Sequence, residues 1–127
     1  MKIDLGSREI RDVTEEDLER ALQSVNTAEE EFLILIDEDR GNYFMQVAGS
    51  EDAFYVEYRE ETDDRHFCTG EKVSFQQALD LLKVYLRGDE SFKTMVTWEK
   101  VEMRGGCSKA AAVFLLGVII VTLMLAL

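Results

Sequence analysis

His66 and Cys68 stand two residues apart, the closest approach in this 127-residue chain to a base beside a nucleophile. On a β-strand alternate side chains share a face, so the imidazole could meet the thiol if both lie on one strand. A working thiolate also needs an activating field and donors for the developing oxyanion. Glu60, Glu61, Asp63 and Asp64 crowd the same stretch, and their negative charge opposes thiolate formation. Asp37-Glu38-Asp39 has the composition of a cation loop but not the alternating acidic spacing, closing glycine and later glutamate of a calcium loop, so it reads as a turn. Two cysteines and one histidine, without CxxC or HxxxH spacing, do not make a zinc site. The chain also lacks a glycine-rich phosphate loop, a GxSxG elbow and an HExxH helix. These absences predict a protein that is not an enzyme, with no catalytic residue, no metal, no cofactor and no small-molecule substrate.

The elements that would position these residues alternate in a recognisable order. Thr14 caps a first helix over Glu15–Ser24, with Asp17 at the third helical position and a stripe of Leu18, Ala21, Leu22 and Val25. The run Phe32–Ile36 reads as a central strand, and Asp37–Asn42 as the turn after it. Tyr43–Val47 and Phe54–Arg59 read as the next two strands, separated by a turn at Ala48–Asp52. Along the second of these, Phe54, Val56 and Tyr58 share one face, and Tyr55, Glu57 and Arg59 share the other. Arg65–Thr69 is a short fourth strand. Ser74 and Gln77 form a capping box for a second helix that runs to Gly88, with Phe75, Ala78, Leu79, Leu82, Tyr85 and Leu86 facing a core. Met95–Met103 returns as a strand carrying Val96 and Trp98 on one face. The expected fold is α+β, an antiparallel sheet of four or five strands with two helices on one face, plus a C-terminal transmembrane helix.

Charge and hydropathy divide the chain sharply. The net charge is -12, yet Ala110–Leu127 carries no charged residue. Residues 1–103 therefore form an acidic domain, 104–109 a juxtamembrane linker, and 110–127 a transmembrane tail anchor. The eighteen residues AAAVFLLGVIIVTLMLAL, with Ala110, Phe114, Leu115, Ile119, Ile120, Leu123 and Leu127 among them, would span about 27 Å as a helix, against about 30 Å of hydrocarbon. Lys100, Arg104 and Lys109 precede the segment, which predicts a domain on the cytoplasmic side of a single-pass membrane protein. The polar opening Met1–Arg11 lacks the apolar core of a secretory signal. With Cys68 in the domain and Cys107 at the membrane boundary, reduced thiols and no structural disulfide are expected. An acidic surface repels phosphate backbones and attracts basic proteins, so nucleic acid is excluded and a basic protein partner is favoured. Tyr43, Phe44, Tyr55, Tyr58 and Trp98 lie on these strands amid acidic residues, and those that face outward would serve as anchors for it.

The order Tyr43-Phe44-Met45-Gln46-Val47, Val56-Glu57-Tyr58-Arg59, His66-Phe67, a helix closing on Tyr85-Leu86-Arg87-Gly88-Asp89, then Trp98-Glu99 resembles a family of bacterial immunity proteins. It is the first-numbered Imm family of polymorphic toxin systems, and the match runs over about half the chain, Phe32–Glu99. The resemblance implies a non-enzymatic protein that binds and blocks a cognate toxin. It implies contacts from Glu57, Arg59 and Glu99, with Tyr55 as an aromatic anchor. The alternative from another class is a tail-anchored adaptor or scaffold that recruits a cytosolic protein to the membrane.

Overall fold

The computed structural model describes residues 1–101, with Asp63 described by its backbone alone. The linker 104–109 and the apolar segment 110–127 lie outside the described residues. Among those that are described, no helix is long and apolar enough to cross a membrane.

The helices begin where their caps dictate. In α1, Glu15–Asn26, the Thr14 hydroxyl accepts from the Asp17 amide at 3.1 Å, and the Asp17 carboxylate accepts from the Thr14 amide at 2.9 Å. This reciprocal pair satisfies two otherwise orphaned amides and sets negative charge against the positive helix end. Leu18, Ala21, Leu22 and Val25 are fully buried, as their spacing requires. Ser74 and Gln77 make the same box for α2, Phe75–Leu86, at 3.1 and 2.9 Å. Gly88, at φ 74°, takes the left-handed conformation that ends it. Ala78, Leu79, Leu81, Leu82 and Tyr85 are buried, with Phe75 and Leu86 partly covered at the margins.

The sheet is antiparallel and has seven strands in the order β2-β1-β3-β4-β5-β6-β7, three more than the shorter of the two counts the sequence suggests. β3 (Phe32–Asp37), β4 (Tyr43–Ser50), β5 (Ala53–Arg59) and β6 (His66–Thr69) are the expected meander. The additional hairpin, β1 (Lys2–Asp4) and β2 (Glu9–Arg11), extends the sheet beside β3. The last strand, β7, covers Trp98–Lys100 within the expected Met95–Met103, while Met95 instead ends a short helix, α3 (Phe92–Met95), that the sequence did not announce. That turn drops Phe92 into an aromatic cluster. Its ring meets Tyr58 edge-on at 4.9 Å and Tyr85 at 5.3 Å, while the Trp98 indole N–H donates to the Phe92 carbonyl at 3.1 Å.

α1 and α2 pack on each other and on β3, β4 and β5, all on one side. Ile3, Leu35, Met45 and Tyr58 form one cross-strand row beneath them, and Leu33, Val47 and Val56 the next.

Two hairpin residues tie the helices to the sheet. Glu51 and Asp52, both at positive φ (51° and 63°), form the two-residue turn between β4 and β5. The Asp52 amide donates to the Asn26 side chain at 2.8 Å, and its carboxylate accepts from the Phe75 amide, also at 2.8 Å. One aspartate thus joins the end of α1 to the start of α2. Asp52→Ala is expected to cost about 1–2 kcal/mol, the range for losing a helix-terminal cap. Urea denaturation midpoints would report it, and Asp52→Asn should recover most of the loss.

Candidate functional site

Cross-strand register assembles the second face from residues far apart in sequence. Asp4, Ile34, Gln46, Glu57, Cys68 and Glu99 stand in one row across the six strands from β1 to β7. Lys2, Ile36, Phe44, Arg59 and His66 form the neighbouring row, and Phe32, Ala48 and Tyr55 a third. All four residues expected at a partner contact therefore share this face: Tyr55, Glu57 and Arg59 by alternation along β5, Glu99 by its pairing with Cys68. They differ in exposure. Tyr55 and Glu57 are buried, Arg59 is half-buried and Glu99 is exposed.

The face is apolar around a polar centre. Phe32, Ile34, Ile36, Phe44, Ala48, Tyr55 and Cys68 make one continuous cluster, against which Val101 packs. Within it, Gln46 is fully buried and neither its amide nitrogen nor its oxygen finds a hydrogen-bond partner. Glu57 is also fully buried. His66 Nε2 lies 3.2 Å from Glu57 Oε2, a close polar contact without the alignment of a hydrogen bond. Burial pushes the Glu57 carboxyl above its ordinary range, and the neighbouring His66 partly offsets the rise. The His66 ring also meets Phe44 edge-on, with centroids 6.0 Å apart. A desolvated carboxylate and a desolvated amide, each costing stability where it sits, mark this centre as the chemically distinctive part of the domain.

The other candidates have structural occupations. The Asp37 carboxylate accepts from Arg40 Nε at 2.7 Å and from the Asp39 amide at 3.2 Å, so it closes the β3–β4 turn. Arg40 in turn lies over the Tyr43 ring, 4.1 Å from its centroid. Tyr58 and Trp98 belong to the helix-covered core rather than to an outward surface. Glu60 is held by Lys93 at 3.1 Å and Arg65 at 3.6 Å, which fastens the end of β5. An open groove of about 470 Å³ runs beside the β6–β7 edge, between Thr69–Val73 and Met95–Glu99. Glu99 reaches across Gly70 at its rim, too close to leave room there for a Cβ.

Cys68 corrects an expectation. It does lie on the same face as His66, as strand alternation requires, but it is disulfide-bonded to a partner outside the described residues. The expectation of reduced thiols placed the two cysteines in separate regions. Cys68 instead lies on the face against which Val101 packs, and Val101 donates its amide to the His66 carbonyl at 2.8 Å. A disulfide sulfur offers no thiolate, so the His66–Cys68 pair has no nucleophile in this state.

Gln46 is the member of the centre to which charge and motif reasoning gave no role, while His66 was weighed only as a base for Cys68. The signal for Gln46 was present, one amide in the apolar alternation Phe44, Gln46, Ala48. Protein-family models, curated proteins and solved structures all returned no match to this chain.

Proposed function

We propose that this chain is a membrane-tethered, non-enzymatic protein that binds and neutralises a basic protein toxin, with the second face of the sheet as its contact surface. The observation that carries the reading is the convergence of Tyr55, Glu57, Arg59 and Glu99 on one face around the unpartnered Gln46 amide. Such a centre suits recognition. An aromatic flank supplies contact area, and a fixed carboxylate selects a basic group on the partner. The net charge of -12 supports a basic partner through long-range attraction. Resemblance to immunity proteins over Phe32–Glu99 supplies the toxin. The uncharged apolar run 110–127 supports a tether, and the positive charge of Lys100, Arg104 and Lys109 before it supports a domain on the cytoplasmic side. Holding an inhibitor at the bilayer raises its concentration where a toxin would cross.

The test uses the full chain, reconstituted in vesicles and mixed with the product of the adjacent reading frame. A complex is expected that lowers the toxic activity of that product at least about a hundredfold, and Glu99→Lys should weaken it about tenfold or more. A complex with a partner that has no toxic activity would replace the toxin reading with the adaptor reading. Absence of any complex at micromolar concentration would sink both.

A further inference from the structure

Pairing between β6 and β7 ends at Thr69 and Trp98. Beyond that pair one stretch of chain leads to α2 and the other comes from α3, and the two part to leave the groove of about 470 Å³ between 69–73 and 95–99. Its volume falls in the range of small-ligand sites, about 300–1,000 Å³. The lining is amphipathic. Val73 is buried and Val96 half-buried, and Met95, 41 % exposed, is the large hydrophobic residue left in solvent among those described. Glu71 and Glu99 add two carboxylates, and neither has a hydrogen-bond or ion-pair partner among the described residues. The cation in the lining, Lys72, is drawn over the Tyr55 ring, 5.8 Å from its centroid.

Gly70 decides where one of those carboxylates sits. It is not at positive φ, so what its missing side chain supplies is space. Glu99 takes that space. Its Cδ and both carboxylate oxygens are the three atoms nearest to the position a Cβ would occupy. Glu99 stands opposite Cys68 in the sheet, so to reach Gly70 its side chain runs along the seam into the groove. A carboxylate laid against backbone, with no partner of its own, is desolvated on one side and open to an incoming cation on the other.

We propose that this groove seats a lysine or arginine side chain of the basic partner, with its aliphatic stem on Val73, Val96 and Met95, its charged head at Glu99, and Gly70 as the residue that positions Glu99. The two halves of the lining match the two halves of such a side chain, which buries its hydrocarbon stem and keeps its head polar. Methionine adapts to stems of different shape, and a charged donor makes a stronger bond to a carboxylate than a neutral one does. The site rests on the reading of a basic protein partner and adds where a cation of that partner enters, at the exposed β6–β7 seam.

The test uses the isotope-labelled full chain in dodecyl maltoside at low salt. It is titrated with the peptide acetyl-Ala-Ala-Arg-Ala-Ala-amide and with the same peptide carrying uncharged citrulline for arginine. Amide shifts are expected at 70–72 and 96–99, with an affinity for the arginine peptide at least about fivefold above that for the citrulline peptide. Glu99→Gln and Gly70→Ala should each lower the affinity for the arginine peptide by about fivefold or more. Gly70→Ala keeps every charge and meets only the end of a flexible side chain, so the fold should hold, and an unchanged spectrum away from the groove reports that it does. Glu99→Gln, at an exposed position, tests the cation site whatever the alanine variant does. Shifts spread evenly over the acidic surface, equal affinity for the two peptides, or an affinity untouched by Glu99→Gln would each overturn the site. An affinity untouched in a folded Gly70→Ala protein would overturn the role of Gly70. None of these outcomes requires a toxin. A toxin complex that leaves the groove amides unshifted would overturn the site and leave the toxin reading standing, and peptide binding in the groove without any toxin complex would do the reverse.

Discussion

Gly49→Ala is expected to destabilise the domain by roughly 3–5 kcal/mol, a large part of the total stability of a domain this size. Gly49 occupies β4 at φ 136°, a region that residues with a Cβ rarely enter. A methyl group there would collide with the Ala53 carbonyl oxygen and press within 2.9 Å of the Phe54 Cα. Both obstacles are backbone, so no side chain can rotate away. Phe54 is itself pinned, since its amide and carbonyl exchange hydrogen bonds with Val73 at 2.9 and 2.7 Å, and its ring is fully buried. Relief must therefore come from opening the β4–β5 hairpin, the most extensive pairing in the sheet. Gly41 is the control. It also has a positive φ, 70°, but its Cβ would meet nothing within 4 Å, so Gly41→Ala should cost only about 1–2 kcal/mol. Guanidinium denaturation of the two variants side by side separates collision from backbone preference. Equal losses would show that the close approach at Gly49 is not what the hairpin depends on.

How far the sequence reveals the fold depends on whether a segment's conformation is settled locally. Both helices announce themselves, because Thr14–Asp17 and Ser74–Gln77 close their caps within four residues and the apolar stripes repeat at helical spacing. β5 does the same through strict alternation, which put Tyr55, Glu57 and Arg59 on one side before any partner strand was known. β1 and β2 carry no such signal. Lys2–Asp4 and Glu9–Arg11 are three residues each, two of them charged, and they are strands only because Ile3 finds Leu35 across the sheet. Phe92–Met95 is helical for an equally non-local reason, the space between Tyr58, Tyr85 and Trp98 that Phe92 fills. The site divides in the same way. Which side Glu57 faces was legible in the pattern of β5. That it would be buried was not, because a carboxylate in so acidic a chain reads as surface, and its place between Gln46 and Cys68 depends on the register of other strands. The covalent state of Cys68 was illegible too, since strand alternation fixes the face a cysteine takes and not what it bonds to.

Glu57→Gln is expected to raise stability near neutral pH by about 1–2 kcal/mol while weakening partner binding about tenfold or more, two effects of opposite sign from one atom exchange. The stability arm follows from linkage. Burial, the largest influence, lifts the Glu57 carboxyl above its ordinary 4.5, so the folded protein holds a proton that the unfolded chain gives up. The folded state binds more protons between pH 4.5 and the raised value, so stability falls as pH increases there. The contribution is complete below pH 4.5 and is lost as pH rises through the folded value. Glutamine cannot ionise, so the variant should lose this slope, match the parent at acid pH and exceed it above. The group facing the carboxylate is the His66 ring and not a lysine or arginine, which distinguishes the substitution from breaking a permanent ion pair. Denaturation midpoints of the full chain at pH 4.5, 6 and 7.5 measure it. A parent that is more stable than the variant at pH 7.5 would mean that the Glu57–His66 contact stabilises the fold. Glu57 would then be accounted for as a structural ion pair, and the second face would lose the feature that sets it apart as a place for recognition.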